Sequence, residues 1–148
     1  MLSTRVDTTA LSLQEQMIAL IRAFGLHRPD QTPCGQPVSV AEAHALMELA
    51  RDAPLSQNDL VARLQLVKST VSRCVSLLEA RGWVERHRDP QDGRAVAVWL
   101  TESGRQAAAQ LAAARQAKFA RVLEHIPPEE RKQVLLTLTT LVEAIRES

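Results

Sequence analysis

The chain has no tyrosine, and its aromatic complement is two phenylalanines and two tryptophans among 148 residues. Surfaces that hold single-stranded nucleic acid stack bases on aromatic side chains, so this scarcity argues against such a ligand and leaves duplexes open. Excess charge is equally scarce. Eighteen Lys and Arg against seventeen Asp and Glu leave a formal net charge of +1, so any nucleic-acid surface must be local. Only two cysteines occur, Cys34 and Cys74, and no apolar run is long enough for a signal segment or a bilayer span. A reduced, cytoplasmic protein without membrane contact is expected. Phosphate-binding loops, nucleophile and base patterns and paired carboxylates are missing too, which predicts a protein that is no enzyme and carries no cofactor. The length suits one ordinary domain and not two independent ones.

What charge excess there is lies between Arg63 and Arg94. Seven basic residues (Arg63, Lys68, Arg73, Arg81, Arg86, Arg88, Arg94) stand there against four acidic ones (Glu79, Glu85, Asp89, Asp92).

Apolar spacing organises the chain into helices. Leu13, Met17, Leu20, Ile21 and Phe24 recur at helical spacing and stop at Gly25, which predicts a first helix at about 9–24. Pro29, Pro33, Gly35 and Pro37 make the next segment a loop. Ser39 with Glu42 reads as a capping box opening a second helix, whose apolar face is Ala43, Leu46, Met47 and Ala50. Asp52-Ala53-Pro54 ends it. Ser56 with Asp59 opens a short third helix, with Leu55 and Leu60 as its staple. A fourth helix carries Val71, Cys74, Val75 and Leu78 on one face and Lys68, Ser69, Ser72, Arg73 and Ser76 largely on the other.

Gly82 closes the fourth helix, and the segments 83–88 and 95–100 read as paired strands around Asp89-Pro90-Gln91-Asp92-Gly93. Pro90 presets the turn and Gly93 permits a positive φ. Thr101 is a good N-cap for a long fifth helix reaching about Leu123, and Pro127-Pro128-Glu129-Glu130 starts a sixth. Val134, Leu135, Leu138, Leu141, Val142 and Ile145 form a broad apolar stripe on that last helix.

Helix, turn, helix and hairpin in this order make a winged helix-turn-helix. Such a helix fits the major groove of duplex DNA, with short hydroxyl side chains close to base edges and arginine bonding guanine or phosphate. Lys68, Ser69, Thr70, Ser72, Arg73 and Ser76 are the candidate contacts on the fourth helix. Arg94 at the hairpin tip suits the narrow minor groove, whose negative potential attracts it, with Arg86 and Arg88 on the preceding strand. Asp92 among these cations is expected to orient Arg88 or Arg94 by a charge-assisted hydrogen bond.

The run Ser69-Thr70-Val71-Ser72-Arg73, then Leu78-Glu79, Gly82, Arg86, Asp92-Gly93-Arg94 and Leu100-Thr101-Glu102-Ser103-Gly104, resembles the MarR family of multiple antibiotic resistance regulators over about Val38 to Gly104. The resemblance implies a mainly α-helical winged-helix homodimer that binds a pseudo-palindromic operator, usually as a repressor released by a small molecule or by oxidation. It places Ser69, Thr70, Ser72 and Arg73 toward the major groove and Arg94 toward the minor groove. The whole chain then reads as one domain, with a DNA-binding region at about 38–104 and dimerisation helices and loop at about 9–37 and 105–148. Two copies about one helical turn apart, ~34–36 Å, also follow from the few base pairs that one such motif reads.

The regulatory signal is less legible. Arg22, His44 and Met47 are candidate lining residues of an effector pocket, which the resemblance assigns to phenolic or aromatic-acid ligands. Cys34, with His27 and Arg28 nearby, is a candidate redox residue, because a cation lowers a thiol pKa. The family's peroxide sensors, however, support their cysteine with tyrosines that this chain lacks. Cys74 reads as a core residue. His27, Cys34, Glu42 and His44 are plausible zinc donors, but solvated histidines are preferred and no metal is expected. The alternatives to an effector-released repressor are a redox- or metal-responsive regulator, a constitutive DNA-binding protein, and a winged-helix module that docks proteins without touching DNA.

Overall fold

Local capping chemistry sets most helix ends. In the computed structural model, which describes residues 7–89 and 91–148, Asp7 accepts the Thr9 amide and opens α1, Thr8–Phe24. Gly25 closes it at φ 89°, a conformation that costs glycine nothing. Ser39 and Glu42 exchange amides in a reciprocal box at the start of α2, Val40–Asp52. Ser56 and Asp59 do the same for α3, Gln57–Leu64. Caps of this kind stabilise a helix by about 1 kcal/mol each.

Helix α4, Lys68–Ala80, buries Val71, Cys74, Val75 and Leu78, the four positions its apolar spacing marks. After Gly82 at φ 77° come β2, Val84–Arg88, and β3, Val96–Leu100, paired antiparallel with Val84 opposite Leu100 and Arg88 opposite Val96. Leu55–Ser56 adds a short strand, β1, on the other edge of β3, giving the order β1-β3-β2. The staple reading of Leu55 does not anticipate this strand. Its two residues pair with Val98 and Ala97, more than forty positions away, and no local pattern announces so short a ladder.

The chain divides into two compact units, one ending at Ala112 and the other spanning Ala113–Ser148. The core of the first is built by Leu46 and Leu49 of α2, Leu60 of α3, Val71, Val75 and Leu78 of α4, and Val84 and Val98 of the sheet. Each of these side chains contributes roughly 1.5–3 kcal/mol by leaving water. Ala107, Ala108 and Leu111 of α5, Glu102–Glu124, are also buried in this unit, and Thr101 caps α5 by accepting the Gly104 amide at 3.0 Å. Helix α1 buries none of its residues.

In the second unit a 3-10 turn, Pro128–Glu130, leads into α6, Arg131–Glu147. The two prolines and two glutamates thus begin a 3-10 turn, with the α-helix starting one residue later. Of the α6 stripe, Val134 and Leu141 are half-buried, while Leu135, Leu138, Val142 and Ile145 are 43–63% exposed. Among the described residues no helix is long and apolar enough to cross a membrane.

Candidate nucleic-acid interface

Helix α4 winds Ser69, Ser72, Arg73 and Ser76 onto one stripe, because positions three and four apart share a face. Ser69, Arg73 and Ser76 are exposed, Thr70 and Ser72 half-buried, and Lys68 is exposed in the first turn. Between Lys68 and Ser76 there is no acidic residue. No side chain caps the start of this helix, so its first amides add their partial positive charge to that end.

Carboxylates sort the seven cations of the region into two groups. Arg63 reaches Glu48 at 3.2 Å and Asp52 at 2.6 Å, joining α3 to α2, and its charge is spent there. Arg81 donates from Nε to Glu42 at 2.8 Å and lies 5.1 Å from the Trp83 ring centre. The Glu42 side chain is 5% exposed and that of Arg81 38%, so a buried carboxylate anchors the exposed C-terminal end of α4 to the start of α2. Lys68, Arg73, Arg86, Arg88 and Arg94 have no carboxylate partner among the described residues. All five lie on α4 or the hairpin, so the unpaired positive charge is concentrated on those two elements.

The wing tip departs from its expected chemistry in two respects. Asp92 makes no ion pair with Arg88 or Arg94 among the described residues; its Oδ1 accepts the Arg94 backbone amide at 3.1 Å. A carboxylate on one methylene closes this ring two residues on more readily than it reaches the far end of an arginine. Gly93 is not among the glycines of positive φ, and the tip is tied instead by the Asp89 and Asp92 carboxylates and by Asp89 N to Ala95 O at 2.9 Å. Pro90, expected to preset the turn, lies outside the described residues. Arg88, Asp92 and Arg94 are all exposed. Arg86, to which the spacing assigned no contact, points back to α4 and donates from Nη2 to the Ser72 carbonyl and the Ser76 hydroxyl.

The candidate sensing residues are less gathered. A groove of about 420 Å³ in the first unit is lined by Leu49, Ala50, Arg51 and Ala53 of α2 and its end, by Leu100, and by Arg105, Ala108, Ala109 and Ala112 of α5. Arg22, His44 and Met47 do not line it; Arg22 and His44 are exposed and Met47 half-buried. Only long-range packing of α2 against α5 creates this groove, so no sequence motif signals it. Cys34, the candidate redox residue, is half-buried in a loop whose turn is closed by Gly35 N to Thr32 O and Gln36 N to the Thr32 hydroxyl. Cys74 is 4% exposed, and burial first, with the charge of Glu42 second, pushes its thiol up to about 11. Glu42, weighed as a zinc donor, is committed to Arg81 and the Ser39 amide. Among the described residues no three His, Cys, Asp or Glu side chains gather for a metal.

A three-stranded winged sheet packed on a helix-turn-helix, with unpaired cations on the second helix and the wing, defines a winged helix-turn-helix protein. A sequence model of the MarR family matches residues 36–95. The HTH-type transcriptional regulator YwhA of Bacillus subtilis is 28% identical over 114 residues, 77% of this chain and 82% of that protein. The HTH-type transcriptional repressor NicR of Pseudomonas putida is 32% identical over 105 residues, 69% of this chain and 66% of its own length. In fold, the crystal structure of the S. aureus MepR–DNA complex matches at a TM-score of 0.73 and 24% identity, covering 89% of this chain and 97% of that one. The chain belongs to the MarR family, a class of DNA-binding transcriptional regulators and not of enzymes.

Proposed function

We propose that this regulator binds a pseudo-palindromic duplex operator as a homodimer and represses transcription until a small molecule releases it. The observation that carries the DNA-contact reading is a set of four exposed cations, Lys68, Arg73, Arg88 and Arg94, which have no carboxylate partner among the described residues and lie on α4 and the wing beside a stripe of serines free of acidic residues. In this reading Ser69, Thr70, Ser72 and Arg73 meet base edges in the major groove, Lys68 a phosphate, and Arg94 the minor groove. Arg88 supports the wing electrostatically, and Asp92 acts through the shape of the tip. Ser76 lies at the far end of the stripe.

Exposed apolar surface supports the homodimer. Leu11, Leu13, Ile18, Leu20 and Ile21 of α1 are 36–51% exposed, and Phe119, Val122 and Leu123 of α5 and the α6 stripe are similarly open. Continuous apolar helix faces of this kind are costly in water and mark association surfaces. A second copy of the chain is the occupant proposed for them. The α2–α5 groove suits an effector with an apolar body, resting on Leu49, Ala53, Leu100 and Ala108, and an anionic end near Arg51 and Arg105. DNA as the partner implies a cytoplasmic protein.

Arg94→Ala tests the wing assignment. Affinity in a gel-shift titration should fall with the dimer still folded, and unchanged affinity would count against the minor-groove role.

A further inference from the structure

Arg86 occupies the middle of β2, opposite Val98, and alternation along the strand sends its side chain to the same side as buried Val84. There it meets α4. Nη2 donates to the Ser72 carbonyl oxygen at 3.1 Å and to Ser76 Oγ at 3.0 Å. A helical carbonyl already accepts the amide four residues on, so the guanidinium engages its remaining lone pair. Nε is buried without a hydrogen-bond partner, and no carboxylate pairs with Arg86 among the described residues.

Holding a half-buried cation in this way is expensive. A neutral side chain of similar volume packed in the same place serves folding as well or better, since it has no charge to desolvate. Packing alone therefore does not explain an arginine here. What the guanidinium does achieve is a fixed link between two elements. Ser72 and Ser76 lie on the stripe that includes Ser69 and Arg73, while Arg86 lies on the strand that leads to Arg88 and the tip with Arg94.

We propose that Arg86 is a positioning residue for duplex recognition, fixing the rotation of α4 and its spacing from the wing so that Arg73 and Arg94 reach adjacent grooves together. This rests on the DNA-contact reading above. Arg86 itself touches no base and no phosphate; it restricts the relative motion of the two elements that do. Binding both grooves at once then loses less conformational freedom than it would with a loose wing.

The probe is the duplex that the wild-type protein enriches from a randomised library, compared with a scrambled duplex by fluorescence anisotropy over a salt series. Arg86→Met should weaken binding to the enriched duplex by roughly 10–100-fold, the range for losing hydrogen bonds to a charged group. Affinity for the scrambled duplex, the slope of log affinity against log salt, and Tm should hold. Arg86→Lys, which lacks the planar fork, should fall between. Ser76→Ala should cause a smaller loss and add nothing in the Arg86→Met background.

A shallower salt slope, by about one contact, would mean a direct phosphate bond and overturn the positioning role. Equal losses on both duplexes accompanied by a lower Tm in Arg86→Met and Arg86→Lys alike would reduce Arg86 to a folding residue. Additive Ser76→Ala and Arg86→Met losses would show that Ser76 works apart from Arg86, against the brace. Full duplex preference retained in Arg86→Met overturns the brace alone, whereas a wild type without any preference overturns the DNA-contact reading and the brace with it.

Discussion

Replacing Gly104 by alanine should lower stability, although alanine is the better helix former. The position lies in the first turn of α5, against the root of the wing. A Cβ built there overlaps the Trp83 carbonyl oxygen, stands 2.9 Å from its carbonyl carbon and meets Leu100 Cδ2 at 3.1 Å. The carbonyl is not free to turn away, because its oxygen accepts the Thr101 amide at 3.0 Å where β2 and β3 begin and end. Thr101 is itself held twice, its hydroxyl donating to Gly82 O at 2.7 Å and accepting the Gly104 amide at 3.0 Å. On an open helix surface Gly→Ala stabilises by about 1 kcal/mol. Here overpacking costs about 1–3 kcal/mol, and a strained or lost hydrogen bond adds about 1 kcal/mol. The balance is a destabilisation of roughly 2 kcal/mol, and at this chain length Tm should fall by roughly 4–8 °C. Thermal melts followed by far-UV circular dichroism measure it. A variant as stable as the wild type, or more so, would refute the close approach of α5 to the wing root.

Two further outcomes follow from the geometry. Asp92→Asn should leave operator affinity and the hydrogen-exchange rate of the Arg94 amide close to wild type, since an amide oxygen can still accept that N–H, whereas Asp92→Ala should raise the exchange rate several-fold; equal damage from both variants would restore an ion-pair role. Stability should also decline in alkali on account of Cys74: the folded thiol is raised from 9.0 to about 11, so its contribution is intact below pH 9 and is lost as pH climbs toward 11, where the unfolded chain ionises first. Denaturant titrations across that range should show a flatter decline in Cys74→Ala, and an identical decline in both proteins would dismiss the thiol.

The helices were legible because their signals are short-range. Ser39 with Glu42 and Ser56 with Asp59 mark their own helix starts, and each box is present as reciprocal hydrogen bonds. The buried face of α4 follows from spacing alone, since Val71, Cys74, Val75 and Leu78 recur at one helical period. The groove between α2 and α5 was not legible. It is lined by Leu49, Ala53, Leu100, Arg105 and Ala108, and not by Arg22, His44 or Met47. Those residues carry no motif, and ordinary alanines and leucines become a cavity wall only when α2 and α5 are brought together.

Hydrophobic period, capping boxes and the basic hairpin are properties of neighbouring residues, so the order of elements, the winged-helix class and the side of α4 that meets solvent are written in the chain itself. Pairings between residues distant in sequence belong to the tertiary structure. It adds Leu55–Ser56 to the sheet beside Val98, joins Glu42 to Arg81 across 39 positions, spends the charge of Arg63 on α2, and turns Arg86 onto the back of the serine stripe. A cation's partner is whatever carboxylate the fold brings within reach. For that reason the count of basic residues suggested a DNA-binding region, and only packing separated Arg63 and Arg81, already neutralised, from the five cations without a carboxylate partner among the described residues.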